Sequence, residues 1–117
     1  METTLQECLG SFVSSVNANE RMATLLKGWE PQLVIEATDS GQQFRYRVQG
    51  CRIGEIAGEP VDDGDNVMLR SDSATLVRVF SGALNPAQAY LEGNLEVFGS
   101  DRDQIKLDAI SLVLWGL

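Results

Sequence analysis

The chain has 117 residues, which suits one domain and leaves no room for a second of ordinary size. Its 9 basic and 17 acidic residues give a formal net charge of −8, which argues against nucleic-acid or anionic-lipid binding through clustered positive charge. The absence of histidine excludes Ser-His-Asp and Cys-His catalysis and removes the most common transition-metal ligand.

The chain carries none of the sequence signals of secretion or membrane insertion. Two cysteines, Cys8 and Cys51, are too few for a disulfide framework, and their apolar neighbours favour reduced thiols. The first residues lack the basic and apolar regions of a signal peptide. The longest uncharged apolar run, residues 109–117, is shorter than the roughly twenty residues that span a bilayer. We therefore expect a cytoplasmic protein with no stable membrane insertion.

The first half of the chain predicts two helices followed by a β-hairpin. Apolar residues at three- and four-residue spacing predict a helix over about residues 3–17. Asn19 is a suitable N-cap for a short second helix. The hydrophobic period then changes to two, and turn residues 39–41 join strands at about residues 33–38 and 44–49.

The second half predicts further strands and three capped helices. Strand patterns occur at residues 51–57, 67–69 and 95–97. The helix starts are marked by cap residues at 71–73, by Asn85 followed by Pro86, and by Ser100 with Asp103, and the last helix is expected over residues 102–115. This order of elements is typical of a single α+β domain over residues 1–117.

No motif in the sequence predicts catalysis, a metal or a cofactor. The acidic loop at residues 59–66 resembles a calcium loop only superficially, because the twelfth position of an EF-hand falls on Ser73 or Ala74 and not on glutamate. The other acidic clusters lie in predicted loops or at helix caps, where water keeps the carboxylates ionised. We therefore expect a protein that is not an enzyme.

The stretch from Asn66 to Ile110 carries a more specific pattern. It contains Gly-Ala-Leu-Asn-Pro-Ala-Gln-Ala at 82–89, Gly-Asn-Leu-Glu-Val-Phe-Gly-Ser at 93–100 and Lys-Leu at 106–107. In this order the segments resemble the sterol carrier protein type-two domain family, whose pattern is Gly-x-Leu-Asn-Pro-x-x-Ala, Gly-x-Leu-x-Val/Ile-x-Gly-Asp/Asn and Lys-Leu. A weaker match, Leu-Lys-Gly at 26–28, extends the resemblance upstream.

The resemblance implies a five-stranded, mainly antiparallel sheet that helices cover on one face. It also implies an apolar tunnel between these layers that takes sterols, fatty acids, acyl-CoA or phospholipids. The chain departs from peroxisomal members at its end, where Trp115-Gly116-Leu117 replaces their small-basic-Leu signal. We therefore expect non-catalytic lipid binding or transfer in the cytoplasm.

The surplus of apolar residues on the later helices predicts which side chains line the tunnel. They are Leu76, Phe80, Leu84, Tyr90, Leu91, Leu107, Ile110, Leu114 and Trp115. We expect the end of the last helix to cover the tunnel, with Leu114 and Trp115 nearest the ligand. Arg78 is the candidate contact for a ligand headgroup, and an ordinary exposed helix arginine is the alternative.

Two alternatives remain open from the sequence alone. A fully packed core could take the place of the tunnel, because the same apolar residues serve either. A domain of this fold could also act without a ligand, as a homodimer or an accessory to an enzyme, through an exposed apolar patch.

Overall fold

A computed structural model describes residues 4–55 and 66–116. The acidic loop, except for Asn66, lies outside the described residues. The helices are α1 (Leu5–Ala18), α2 (Glu20–Leu25), α3 (Ser73–Phe80), α4 (Pro86–Leu91) and α5 (Asp101–Trp115). The strands are β1 (Gln32–Ala37), β2 (Gln43–Gln49), β3 (Arg52–Glu55), β4 (Asn66–Ser71) and β5 (Glu96–Phe98).

The five strands form one sheet in the order β3-β2-β1-β4-β5. All neighbouring pairs are antiparallel except β1 and β4, which run parallel with Leu33 opposite Val67 and Ile35 opposite Leu69. The predicted α+β fold with a mainly antiparallel five-stranded sheet is confirmed. The central strand β1 is buried along most of its length, as expected where neighbours flank a strand on both sides.

The core lies between the helices and one face of the sheet. The predicted alternation places Leu33 and Ile35 of β1 and Leu69 of β4 in this core. The apolar stripe of α1 packs into the same core through Leu9 and Phe12. One continuous apolar core therefore joins the first helix to the strands and to the C-terminal half of the chain.

The helix caps predicted from the sequence are confirmed. Asp72 caps α3, and its carboxylate accepts hydrogen bonds from the side chain and backbone N–H of Thr75, which lower the pKa of Asp72. The side chain of Asn85 caps α4. At the start of α5, Ser100 and Asp103 form a capping box in which each side chain accepts from the other's backbone N–H.

Helix α5 is fixed to the end of α2 by three hydrogen bonds, which we call the α2–α5 clamp. The indole Nε1 of Trp29 donates to Oδ1 of Asp103 at 2.7 Å, and both side chains are almost wholly buried. The Nζ of Lys106 donates to the carbonyl of Leu25 at 2.6 Å, and Arg102 donates to the carbonyl of Gly28 at 3.3 Å. Leu25 is the last residue of α2, so the Lys106 cation lies where the end of this helix concentrates partial negative charge.

We expect Asp103→Asn to lower the free energy of unfolding by about 1–3 kcal/mol, because an amide cannot accept from both Trp29 and Ser100 as the carboxylate does. Asp101→Asn, at an exposed position on the same helix, should cost only a few tenths of a kcal/mol. Urea unfolding of both variants measures the difference. Equal losses in the two variants would contradict a special role for the buried carboxylate.

Candidate functional site

An apolar cavity of about 180 Å³ lies between α4, α5 and the inner face of the sheet, and we call it the α4/α5 cavity. Its lining residues are Leu69, Pro86, Ala87, Tyr90, Leu91, Val97, Gln104, Leu107 and Asp108. The α4 wall is made partly by the compact side chains of Pro86 and Ala87. These side chains are too small to fill the gap that a large apolar residue would close.

The polar groups of the α4/α5 cavity come from α5 and from one tyrosine. Gln104 and Asp108 lie one helical turn apart on α5, and Tyr90 contributes its phenol from α4. Desolvation by the surrounding protein raises the pKa of Asp108. The nine lining residues include no lysine or arginine, so the wall offers no cation to an anionic group.

A narrow space of about 20 Å³, which we call the aromatic constriction, adjoins the α4/α5 cavity. Leu69, Pro86 and Leu107 line both spaces. The rings of Phe12 and Phe80 meet edge to face with centroids 5.0 Å apart, and the centroids of Phe12 and Trp115 are 5.9 Å apart. These contacts fill the middle of the space between helices and sheet.

A third space, the α1/α3 pocket, lies on the other side of the aromatic constriction and has a volume of about 280 Å³. It is lined by Cys8, Ser11, Phe12, Ser15, Phe80, Ser81 and Trp115. Phe12, Phe80 and Trp115 therefore separate the α1/α3 pocket from the α4/α5 cavity. Burial raises the pKa of the Cys8 thiol, which keeps this group in its neutral form.

Gly82 provides the surface on which the Trp115 ring rests. A Cβ atom at Gly82 would lie 2.5 Å from Cγ of Trp115, well inside contact distance. The backbone of Gly82 also has φ of +84°, which favours glycine. The first glycine of the Gly-x-Leu-Asn-Pro pattern thus allows the turn after α3 and also leaves room for the indole of Trp115.

The structure brings six of the ten predicted site residues to the cavity or to the constriction. They are Phe80, Tyr90, Leu91, Leu107, Ile110 and Trp115. Leu76 is fully buried in the core. Leu84 and Leu114 are partly buried and pack against the core. Arg78 is exposed on α3 and is not among the lining residues of the three spaces.

Sequence reasoning missed several residues of the walls. Leu69 and Val97 could have been found from strand alternation, and Phe12 from the apolar stripe of α1. Gln104 and Asp108 had no such signal, because polar helix residues are normally assigned to the solvent side.

Within residues 4–55 and 66–116, no group of three or more cysteine, aspartate and glutamate residues is placed to hold a metal ion. The helices of this part of the chain are too short, or not apolar enough, to cross a membrane.

Comparison with curated proteins finds similarity to longer chains. The chain is 30% identical over 106 residues to "Hydroxysteroid dehydrogenase-like protein 2" of Xenopus tropicalis, covering 91% of this chain and 24% of that protein. It is 35% identical over 80 residues to the protein of the same name in Bos taurus, covering 68% of this chain and 18% of that protein. The chain thus spans a quarter or less of the length of these relatives. No protein-family model matches it.

Solved structures share the fold at low sequence identity. The sterol carrier protein domain 2 of Helicoverpa armigera matches with a TM-score of 0.63 at 17% identity, over 97% of this chain and 91% of that one. Palmitated SCP2L2 from Aedes aegypti matches with a TM-score of 0.62 at 16% identity, over 93% and 95%. A double mutant of the sec-alkyl sulfatase PisA1 matches with a TM-score of 0.72 at 15% identity, over 98% of this chain and 17% of that one.

We expect Gly82→Ala to displace the Trp115 ring, because the added methyl group occupies the position of the indole. Gly93→Ala is the matched control, since Gly93 has a similar φ of +78° but no atom within 4 Å of an added Cβ. Both variants place alanine at a positive φ, which costs about 1 kcal/mol or more. Only Gly82→Ala adds a clash with the Trp115 ring. Acrylamide quenching should expose one tryptophan in Gly82→Ala only. Identical quenching in both variants would contradict this placement.

Proposed function

Since the chain folds as a sterol carrier protein type-two domain, we propose that it binds one small apolar ligand of the lipid or sterol class and performs no chemistry on it. The α4/α5 cavity is the observation that carries the proposal. Its wall is apolar except for two side chains of α5 and one phenol, which is the usual composition of a small-molecule site.

The volume of the α4/α5 cavity limits what enters without rearrangement. At about 180 Å³ it is comparable to an engineered apolar cavity of roughly 150 Å³ that binds benzene. A longer chain has to pass the aromatic constriction and enter the α1/α3 pocket. Rotation of Trp115 away from Phe12 opens this path. The Aedes aegypti neighbour is described as palmitated, which supports a ligand of extended shape.

We infer that the chain contributes binding and not catalysis. It has no histidine, and the described residues bring no catalytic cluster to the cavity. The neighbours whose names indicate enzymes, the dehydrogenase-like proteins and the sulfatase, match this chain over a quarter or less of their own length. Their chemistry therefore does not transfer to this chain by similarity.

We expect protein purified from cells to carry lipid, which native mass spectrometry and solvent extraction detect. Delipidated protein should bind a neutral apolar fluorescent dye. Ala87→Phe should weaken dye binding about tenfold or more, because the ring fills the α4/α5 cavity. Ala23→Phe, at an exposed position of α2, is the matched control. Lipid-free protein that also takes up no dye would overturn the proposal.

Exposed apolar side chains favour a second candidate function, an interaction module. Tyr90, Leu91 and Phe98 surround an open groove along β5, and Leu91 is 83% exposed. On α5, Ile105 and Leu112 are 66% and 58% exposed. Helix α5 is thus only partly covered within the single chain. Clustered exposed apolar residues often mark a contact surface.

The two functions make opposite predictions for delipidated protein in light scattering. A carrier takes up the dye at the mass of one chain. An interaction module shows a mass that rises with concentration, is unchanged by delipidation, and returns to one chain in Leu112→Ser. Leu112 is not among the lining residues of the α4/α5 cavity, and far-UV circular dichroism confirms that the variant is folded.

A further inference from the structure

Helix α5 carries a row of polar side chains beside the apolar residues that it packs on the core. Gln104 and Asp108 line the α4/α5 cavity, and Ser111 lines the aromatic constriction. Their spacing of four and three residues places them along one side of the helix. Ile105 and Leu112 are largely exposed. Leu107 and Ile110 of the same helix pack in the core and Asp108 is itself exposed, so hydrophobic burial accounts for the apolar residues of this side and not for the buried hydroxyl of Ser111.

Ser111 is the most unusual member of this polar row. It is 2% exposed, and its Oγ has no hydrogen-bond partner among the described residues. A helical serine normally bonds the carbonyl four residues earlier or faces solvent. A buried hydroxyl without a partner lowers stability, and such groups are rare in native proteins. Its position at the constriction makes the hydroxyl available to a group inside the cavity.

Asp108 places a carboxylate at the solvent-exposed edge of the cavity. It and Tyr90 are the ionisable groups among the nine lining residues of the α4/α5 cavity, to which β4, β5 and α4 otherwise contribute apolar side chains. A ligand carboxylate or phosphate there would meet a like charge in partly desolvated surroundings, without a cation to compensate. The formal net charge of −8 also repels anionic ligands, at longer range.

We propose that the cavity selects an uncharged lipid with a hydroxyl group, which hydrogen-bonds to Ser111, and that Asp108 disfavours anionic lipids such as fatty-acid anions and acyl-CoA. This inference rests on the proposed lipid-binding function and narrows its ligand class. A hydroxyl group suits Ser111 because each partner both donates and accepts. The wall offers nothing comparable to a carboxylate, since Arg78 is exposed on α3 and does not line the cavity.

The test compares 1-dodecanol with dodecanoate, which share a chain length and differ in charge. Their affinities for the delipidated full chain are measured at pH 7.5 by displacement of a neutral apolar dye. We expect dodecanol to bind at least about tenfold more tightly, because desolvating an unpaired carboxylate is costly. Equal affinities, or tighter binding of dodecanoate, would overturn the inference.

Two variants test whether Ser111 and Asp108 cause the preference for the alcohol over the carboxylate. Ser111→Ala should weaken dodecanol binding about five- to tenfold, leave dodecanoate unchanged and raise the unfolding temperature, because it removes an unsatisfied hydroxyl. Asp108→Asn should tighten dodecanoate binding about threefold or more and leave dodecanol unchanged. Exposed Ser14→Ala and Glu20→Gln repeat the two chemical changes as controls.

The outcomes separate this inference from the function on which it rests. Dye binding without preference for the alcohol, or unchanged dodecanol affinity in Ser111→Ala, overturns the inference and leaves lipid binding intact. If wild-type protein binds neither dye nor either ligand, the proposed function fails, and the inference fails with it.

Discussion

The placement of α5 depends on one carboxylate that has been taken out of water. Asp103 is 2% exposed, and it accepts hydrogen bonds from the indole of Trp29 and from the backbone N–H of Ser100. Removing one partner would leave a buried charge uncompensated, which costs more than the hydrogen bond itself. The same side chain starts the helix and ties it to the segment after α2. The residues that α5 turns toward the cavity are thereby fixed relative to Asp103.

The space between helices and sheet is wider on the α4 side than in the middle, and the two parts differ for a physical reason. On the α4 side, Pro86 and Ala87 are too small to occupy the space beneath α5. In the middle, Phe12, Phe80 and Trp115 meet at centroid distances typical of favourable aromatic pairs, each worth about 0.5–1.5 kcal/mol beyond burial. A ligand that separates these rings has to offset this energy with its own buried surface.

Local chemistry was predictable from the sequence, and long-range geometry was not. The caps at Asp72, Asn85 and Ser100 depend on residues within four positions, so the sequence pattern identifies them. The resemblance supplied the five-stranded sheet, whereas the parallel pairing of β1 with β4 joins segments about thirty residues apart. Apolar spacing could not separate Leu76, in the core, from Leu107, at the cavity. A cavity forms where side chains are too small to fill the space between elements. The periodicity of apolar residues indicates which residues face the core, but not whether they fill it.

The α2–α5 clamp fixes the N-terminal end of α5, so a tilt of the helix turns about Asp103, which we call the pivot. Trp115 lies twelve residues beyond Asp103, about 18 Å along the axis at 1.5 Å per residue. Gln104 is adjacent to the pivot, so a tilt of a few degrees scarcely moves it and shifts Trp115 by about 2 Å. The mouth of the cavity therefore keeps its shape while its inner end adjusts. Ser111 lies eight residues beyond the pivot, so the same tilt moves it about two-thirds as far as Trp115.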